Sequence, residues 1–144
     1  MASRAQQAPP EDLMADTILE LLANRRRRYL LYALRGRTEP VELSRLAETV
    51  AAWEQDVDAE EVDQRDYKSV YVSSVQCHVP KLADSGVVDH DTTTHSVILD
   101  ENFTQLEPYL EVVVRDEPEN SRLHSALEPP TPGLISSLRH KLST

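Results

Sequence analysis

Four consecutive arginines, Arg25 to Arg28, form the densest positive charge in the chain, with Arg35 and Arg37 close behind. Guanidinium groups suit phosphate because they are planar, permanently charged and able to bond two oxygens at once. On a helix Arg25 and Arg28 lie near each other while Arg27 turns toward the core edge. Arg25, Arg26 and Arg28 are therefore candidates for contacts to a nucleic-acid backbone. The same run could instead pair with the carboxylates of this acid-rich chain, those of the stretch 54–66 foremost. A second set lies on a helical stretch downstream: Lys68, Ser69, Ser73, Ser74, Gln76, Cys77 and Lys81. If Val75, Val79 and Leu82 face the core, these side chains face outward. Gln can bond adenine through two hydrogen bonds, Ser can bond a base or a phosphate, and Lys can neutralise a phosphate. Any solvated helix shows such a polar face too.

Other constellations point away from chemistry. Cys77, His78, His90 and His95 invite a metal, and His90 and His95 could approach across a hairpin. Cys77 and His78, however, diverge by about 100° on a helix, and no metal-ligand spacing is met. Neither metal nor cofactor is expected. The single cysteine excludes an intrachain disulfide and a resolving partner for redox sensing. Three glycines leave no phosphate-cradling loop, and neither a nucleophile elbow nor an HExxH motif is present. The expectation is a binding module rather than an enzyme.

The formal net charge is −10, from 25 acidic and 15 basic residues, of which only three are lysine. Sparse Lys with abundant Asp and Glu resembles the composition of proteins from salt-in haloarchaea. Carboxylates hold water where salt of about 1 M shortens the Debye length to ~3 Å. No apolar run reaches the ~18 residues of a membrane span, and Met1 to Pro10 lacks the apolar core of a signal peptide. A cytoplasmic location is expected.

The elements that must position these residues follow from periodicity. Residues 1–10 end in two prolines and read as disordered. A helix over 12–23 places Leu13, Ile18, Leu21 and Leu22 near one face. Asn24 can cap a second helix that stops at Gly36. Thr38 to Val41 is a short edge strand. Leu43, Leu46, Ala47 and Val50 mark a third helix, and Glu54 to Asp66 a solvated loop. Tyr67 to Asp84 reads as a long helix with Val72, Val75, Val79 and Leu82 inward, and Pro80 kinks it. Val87–Asp91 and His95–Leu99 form a hairpin around Thr92–Thr94. Asn102 and Gln105 resemble a capping box before a helix to 115, in which Glu111 and Arg115 can pair. Residues 117–144 read as a flexible, proline-containing tail with a possible short helix over 134–142. The plan is mainly α with a small β-hairpin wing, an α+β winged helix-turn-helix over 11–116.

Three stretches add a family resemblance. "NRRRRYLLYAL" (24–34) resembles the first core helix of archaeal winged-helix regulators. "VELSRLAETV" (41–50) is similar to the second, and "HVPKLADSGVVDHD" (78–91) to the end of a recognition helix with its glycine stop and first wing strand. Together they resemble a haloarchaeal winged helix-turn-helix domain of unknown function, and the resemblance implies transcription-regulator-like DNA binding. In that plan the recognition helix enters the major groove. The wing, Asp89 to His95, departs from the pattern because it has no Arg or Lys. A homodimer through the first and C-terminal helices suits two-fold operators. The alternative is a protein-interaction module that keeps the fold without binding DNA, with the tail as a possible contact for a protein partner.

Overall fold

The computed structural model describes residues 12–118 and 120–127. The expected disorder of 1–10 and the helix over 134–142 lie outside the described residues. Helix α1 (Ala15–Leu22) buries Ile18, Leu21 and Leu22. Asn24 caps α2 (Arg25–Leu34), its side chain accepting from the backbone N–H of Arg26 and Arg27 at 2.9 and 3.2 Å. That satisfies two donors which a helix start otherwise leaves open. Gly36, at φ +78°, takes the left-handed turn that ends the helix.

Strand β1 (Val41–Glu42) leads into α3 (Leu43–Gln55), whose Leu43, Leu46, Ala47 and Val50 are buried as their spacing predicts. After a single 3-10 turn comes a continuous helical rod of three segments: α4 (Gln64–Ser73), a π-helical turn over Ser74–His78 and α5 (Val79–Asp84). Strands β2 (Val88–Asp91) and β3 (Ser96–Leu99) form the hairpin, and β1 adds to β3, giving the order β1-β3-β2, all antiparallel. Helix α6 (Phe103–Val113) and, after a 3-10 turn, the short α7 (Ser121–Ala126) are the last elements among the described residues. The core is aliphatic around Tyr29 and Trp53, whose rings meet edge-on at 6.0 Å. The architecture is α+β, mainly helical with a small three-stranded antiparallel sheet, consistent with a winged helix.

Four local expectations are corrected. The rod starts at Gln64 rather than Tyr67, because Asp63 caps it by accepting from Arg65 N–H at 2.9 Å. Asn102 and Gln105 form no capping box. Asn102 Nδ2 donates to Ser85 O and Gln105 Nε2 to Asn102 Oδ1, both at 2.9 Å, while Gln105 Oε1 accepts from Leu13 N–H at 2.6 Å. Glu111 pairs with Arg35 at 2.6 Å instead of with Arg115, which has left the α-helix for the 3-10 turn. The flexible tail does not begin at 117: Glu117 and Leu123 are buried, and the domain runs on through α7. A carboxylate with a buried cationic partner and an apolar side chain with a core to enter outweigh the linker signal of the prolines.

Candidate nucleic-acid interface

Helical phase divides the four arginines of α2, and tertiary partners then take three of them. Arg27 points inward and is 7% exposed. Its Nε donates to Leu21 O at 2.9 Å and its Nη2 to Glu20 O at 2.8 Å, so it satisfies carbonyls at the C-terminus of α1. Its Nη1 lies 3.3 Å from His78 Nδ1. A guanidinium only donates, so that nitrogen must accept and the imidazole is neutral. Burial holds the His78 pKa below its ordinary value, and the positive charges of Arg27 and Arg26 push the same way.

Arg28 is held by a carboxylate 89 residues away. Its Nε and Nη2 donate to Glu117 at 2.6 and 3.2 Å, and its Nη1 to Leu22 O at 2.7 Å. Tyr32 donates its hydroxyl to the same Glu117 at 2.7 Å. The Glu117 side chain is 1% exposed. The hydrogen bond to Glu117 raises the Arg28 pKa; burial first, and Glu117 second, raise that of Tyr32. Arg26 forks onto Glu54 at 2.8 and 3.1 Å, and its Nη1 reaches Ser69 at 3.2 Å and Ser73 at 3.3 Å. Arg25 alone of the run is exposed without a partner among the described residues. Arg26 and Arg28 are therefore corrected as open phosphate contacts, while Arg25 keeps that capacity.

The outward face of α4 behaves differently. Lys68, Ser69, Ser73, Gln76 and Cys77 line one shallow groove of about 580 Å³, together with Arg65 and Val72. Arg65 and Lys68 are exposed, and among the described residues neither side chain has an ion-pair or hydrogen-bond partner. Two of the seven expected residues are absent from this groove. Ser74 is fully buried, and Lys81 pairs with Glu20 of α1 at 2.9 Å, which holds the Glu20 carboxyl below its ordinary range. The cause for Ser74 is the π turn. It inserts one extra residue, so the buried line runs Val70, Ser74, His78, Val79, Leu82, and Val72 is exposed. Pro80 is the second residue of α5. Its ring would press on the carbonyl of Gln76 in a regular α-helix, and a widened turn accommodates it without the expected kink.

Arg65 was missed because the sequence reading left it in a loop. The signal was there: Asp63 is a cap residue, and Arg65 then stands three before Lys68 on one face. The wing stays acidic, with Asp89 and Asp91 exposed. Asp91 accepts from Thr93 and Thr94 N–H at 2.9 and 3.3 Å, which holds its carboxyl below the ordinary range and fixes the turn. The turn is tied to α3 through Leu43 N–H to His95 O at 2.8 Å. Among the described residues no group of three or more His, Cys, Asp or Glu could hold a metal ion, and no helix is long and apolar enough to cross a membrane.

Residues 19–98 match a family described as a domain of unknown function, DUF7344. The chain belongs to the DUF7344 family. The matched DUF7344 segment runs from within α1 to β3, so it contains the arginine run, the α4 groove and the wing. Helices α6 and α7 lie outside it, as does Glu117, the partner of Arg28. Comparison with curated proteins and with solved structures gives no match.

Proposed function

We propose that this DUF7344 chain is a DNA-binding winged-helix protein, a transcriptional regulator without enzymatic activity, working in a salt-adapted cytoplasm. The observation that carries the reading is the α4 groove. Two unpaired cations, Arg65 and Lys68, flank Ser69 and Gln76 on the exposed face of the helix that a winged helix lays in the major groove. Arg65, Lys68 and Arg25 meet phosphate, and Gln76 and Ser69 meet base edges. Fluorescence anisotropy with promoter DNA from the host, across a series of KCl concentrations, tests it. Binding that weakens with salt, and less steeply in Arg65→Ala and Lys68→Ala, supports the proposal. Folded protein that binds no DNA at any salt overturns it.

The proposed assembly is a homodimer through α1 and α6. Four of the five large hydrophobic side chains exposed among the described residues, Met14, Leu19, Tyr109 and Val112, belong to these helices or to the cap of α1. Leu19, Tyr109 and Val112 share one apolar groove of about 530 Å³. A chain of charge −10 repels its own copies, so contact is favoured where charge is absent. Light scattering that gives a monomer mass in molar salt overturns the dimer.

A second reading, a protein-interaction module, draws support from Val72, exposed in the α4 groove, and from the acidic wing. Recovery of a stoichiometric protein partner after nuclease treatment, abolished by Val72→Asp, would favour it over DNA binding.

A further inference from the structure

Leu19, Tyr109 and Val112, which share the α1/α6 groove, are 61%, 48% and 57% exposed, and none of the residues lining that groove is charged. The helices that form it are acidic. Residues 15–22 and 103–116 hold Asp16, Glu20, Glu107, Glu111 and Asp116 against the single cation Arg115. Lys81 and Arg35 offset Glu20, Glu107 and Glu111, while Asp16 and Asp116 stay exposed, so the rim remains negative. The chain also carries a segment of complementary make-up. Leu134, Ile135, Leu138 and Leu142 have the spacing of one helical face, and Arg139 and Lys141 border that face on either side. No Asp or Glu follows Glu128. A stretch this short does not hold a helix alone, where about 12 residues are needed, and gains one by laying its apolar side on a surface.

The described chain ends close to α6. Leu127, its last residue, packs against the core, and its neighbour Ala126 lines one cleft with Tyr32 and Arg35. Tyr32 bonds Glu117 just past α6, and Arg35 bonds Glu111 within it. From Leu127 to Leu134 the chain reaches roughly 22 Å when extended. We infer that Leu134–Leu142 docks in the α1/α6 groove of its own chain, its apolar side on Leu19, Tyr109 and Val112 and its cations toward the acidic rim. A second copy would bring an equally acidic rim, whereas the tail brings Arg139 and Lys141. A short tether also holds the tail at an effective concentration of about millimolar. The other exposed apolar side chain, Val72, lies between Arg65 and Lys68, which repel the tail. Tail and second copy exclude each other from the groove, so the tail limits dimerisation. That consequence rests on the proposed dimer, and the docking does not.

Cys77 is the only cysteine, so Cys77→Ser with Thr144→Cys gives the full chain one spin-label site beside the tail segment. The ¹⁵N-labelled, spin-labelled protein is diluted in an excess of unlabelled, unmodified chain in molar KCl, which leaves only broadening within one chain visible. Broadening of the Leu19, Tyr109 and Val112 amides, lost in Leu138→Asp and in Val112→Asp, supports the docking. Leu138 lies outside the described domain and Val112 is exposed, so both variants keep the fold. No broadening at these amides overturns the docking. So does broadening that disappears on dilution, which assigns the groove to a second copy, or broadening that survives Leu138→Asp. Light scattering then compares the unmodified chain with Leu138→Asp. A larger dimer fraction in the variant supports the competition. An unchanged dimer fraction overturns the competition, and a monomer mass for both chains overturns the dimer reading and the competition together; the docking is decided by the broadening alone.

Discussion

The arginine run of α2 and the plain polar face of α4 exchange the roles that their composition suggests. The run has the higher charge density, yet Arg26, Arg27 and Arg28 spend it on Glu54, on the carbonyl end of α1 and on Glu117. The α4 face has only Arg65 and Lys68, and both stay open. Two of the four clustered arginines, Arg26 and Arg28, meet a carboxylate in the fold and Arg27 meets backbone carbonyls, so a high local density of positive charge is not by itself free surface. Of the isolated cations on the rod, Arg65 and Lys68 stay open while Lys81 pairs with Glu20.

The largest effect expected on this contrast is structural. Breaking a buried ion pair strands one charge, so Glu117→Ala should lower stability by about 3 kcal/mol in chemical denaturation, as should Arg28→Ala. If Arg28→Ala leaves stability unchanged and instead weakens DNA binding, the division between the two regions is wrong. Next comes the double substitution Arg65→Ala/Lys68→Ala. It should leave stability within about 0.5 kcal/mol, and should reduce the slope of log affinity against log salt by roughly 2. Arg26→Ala, which breaks a partly buried fork onto Glu54, should cost about 1 kcal/mol of stability.

A pH series sharpens the buried side of the comparison. The folded His78 pKa lies below the ordinary 6.5, because burial and the Arg27 charge disfavour the imidazolium. The unfolded chain therefore takes up the proton first, and stability falls as pH drops from about 6.5 through the folded value. His78→Gln should flatten that part of the stability profile and leave the region above pH 7 unaltered, as checked by thermal melts. The smallest effect belongs to Ser74. Its Oγ is buried without a hydrogen-bond partner among the described residues. Ser74→Ala should therefore change stability by no more than about 1 kcal/mol, in the stabilising direction. DNA affinity should not move, whereas Gln76→Ala should reduce it in a sequence-dependent way.

The outward position of five of the seven residues expected on this helical face was legible, because a helix face is set by residues three and four apart. Lys68, Ser69 and Ser73 fall on one side of α4 by that rule, and Gln76 and Cys77 stay outward through the π turn. Ser74 was not legible, because one widened turn around Pro80 moves the buried line by a residue. Lys81 was not, because its partner Glu20 lies on another helix.

The amino-acid sequence by itself determined the elements whose causes are local. These are the Asn24 cap, the Gly36 stop, the apolar spacing of α3 and the hairpin around Thr92–Thr94. Each depends on neighbours within a few positions, where backbone preference and periodicity act. Only the tertiary structure decided which charges are free. The partners of Arg26, Arg28 and Arg35 stand 28, 89 and 76 residues away. Electrostatic pairing depends on distance in space, and no periodicity along the chain encodes which carboxylate arrives beside which guanidinium.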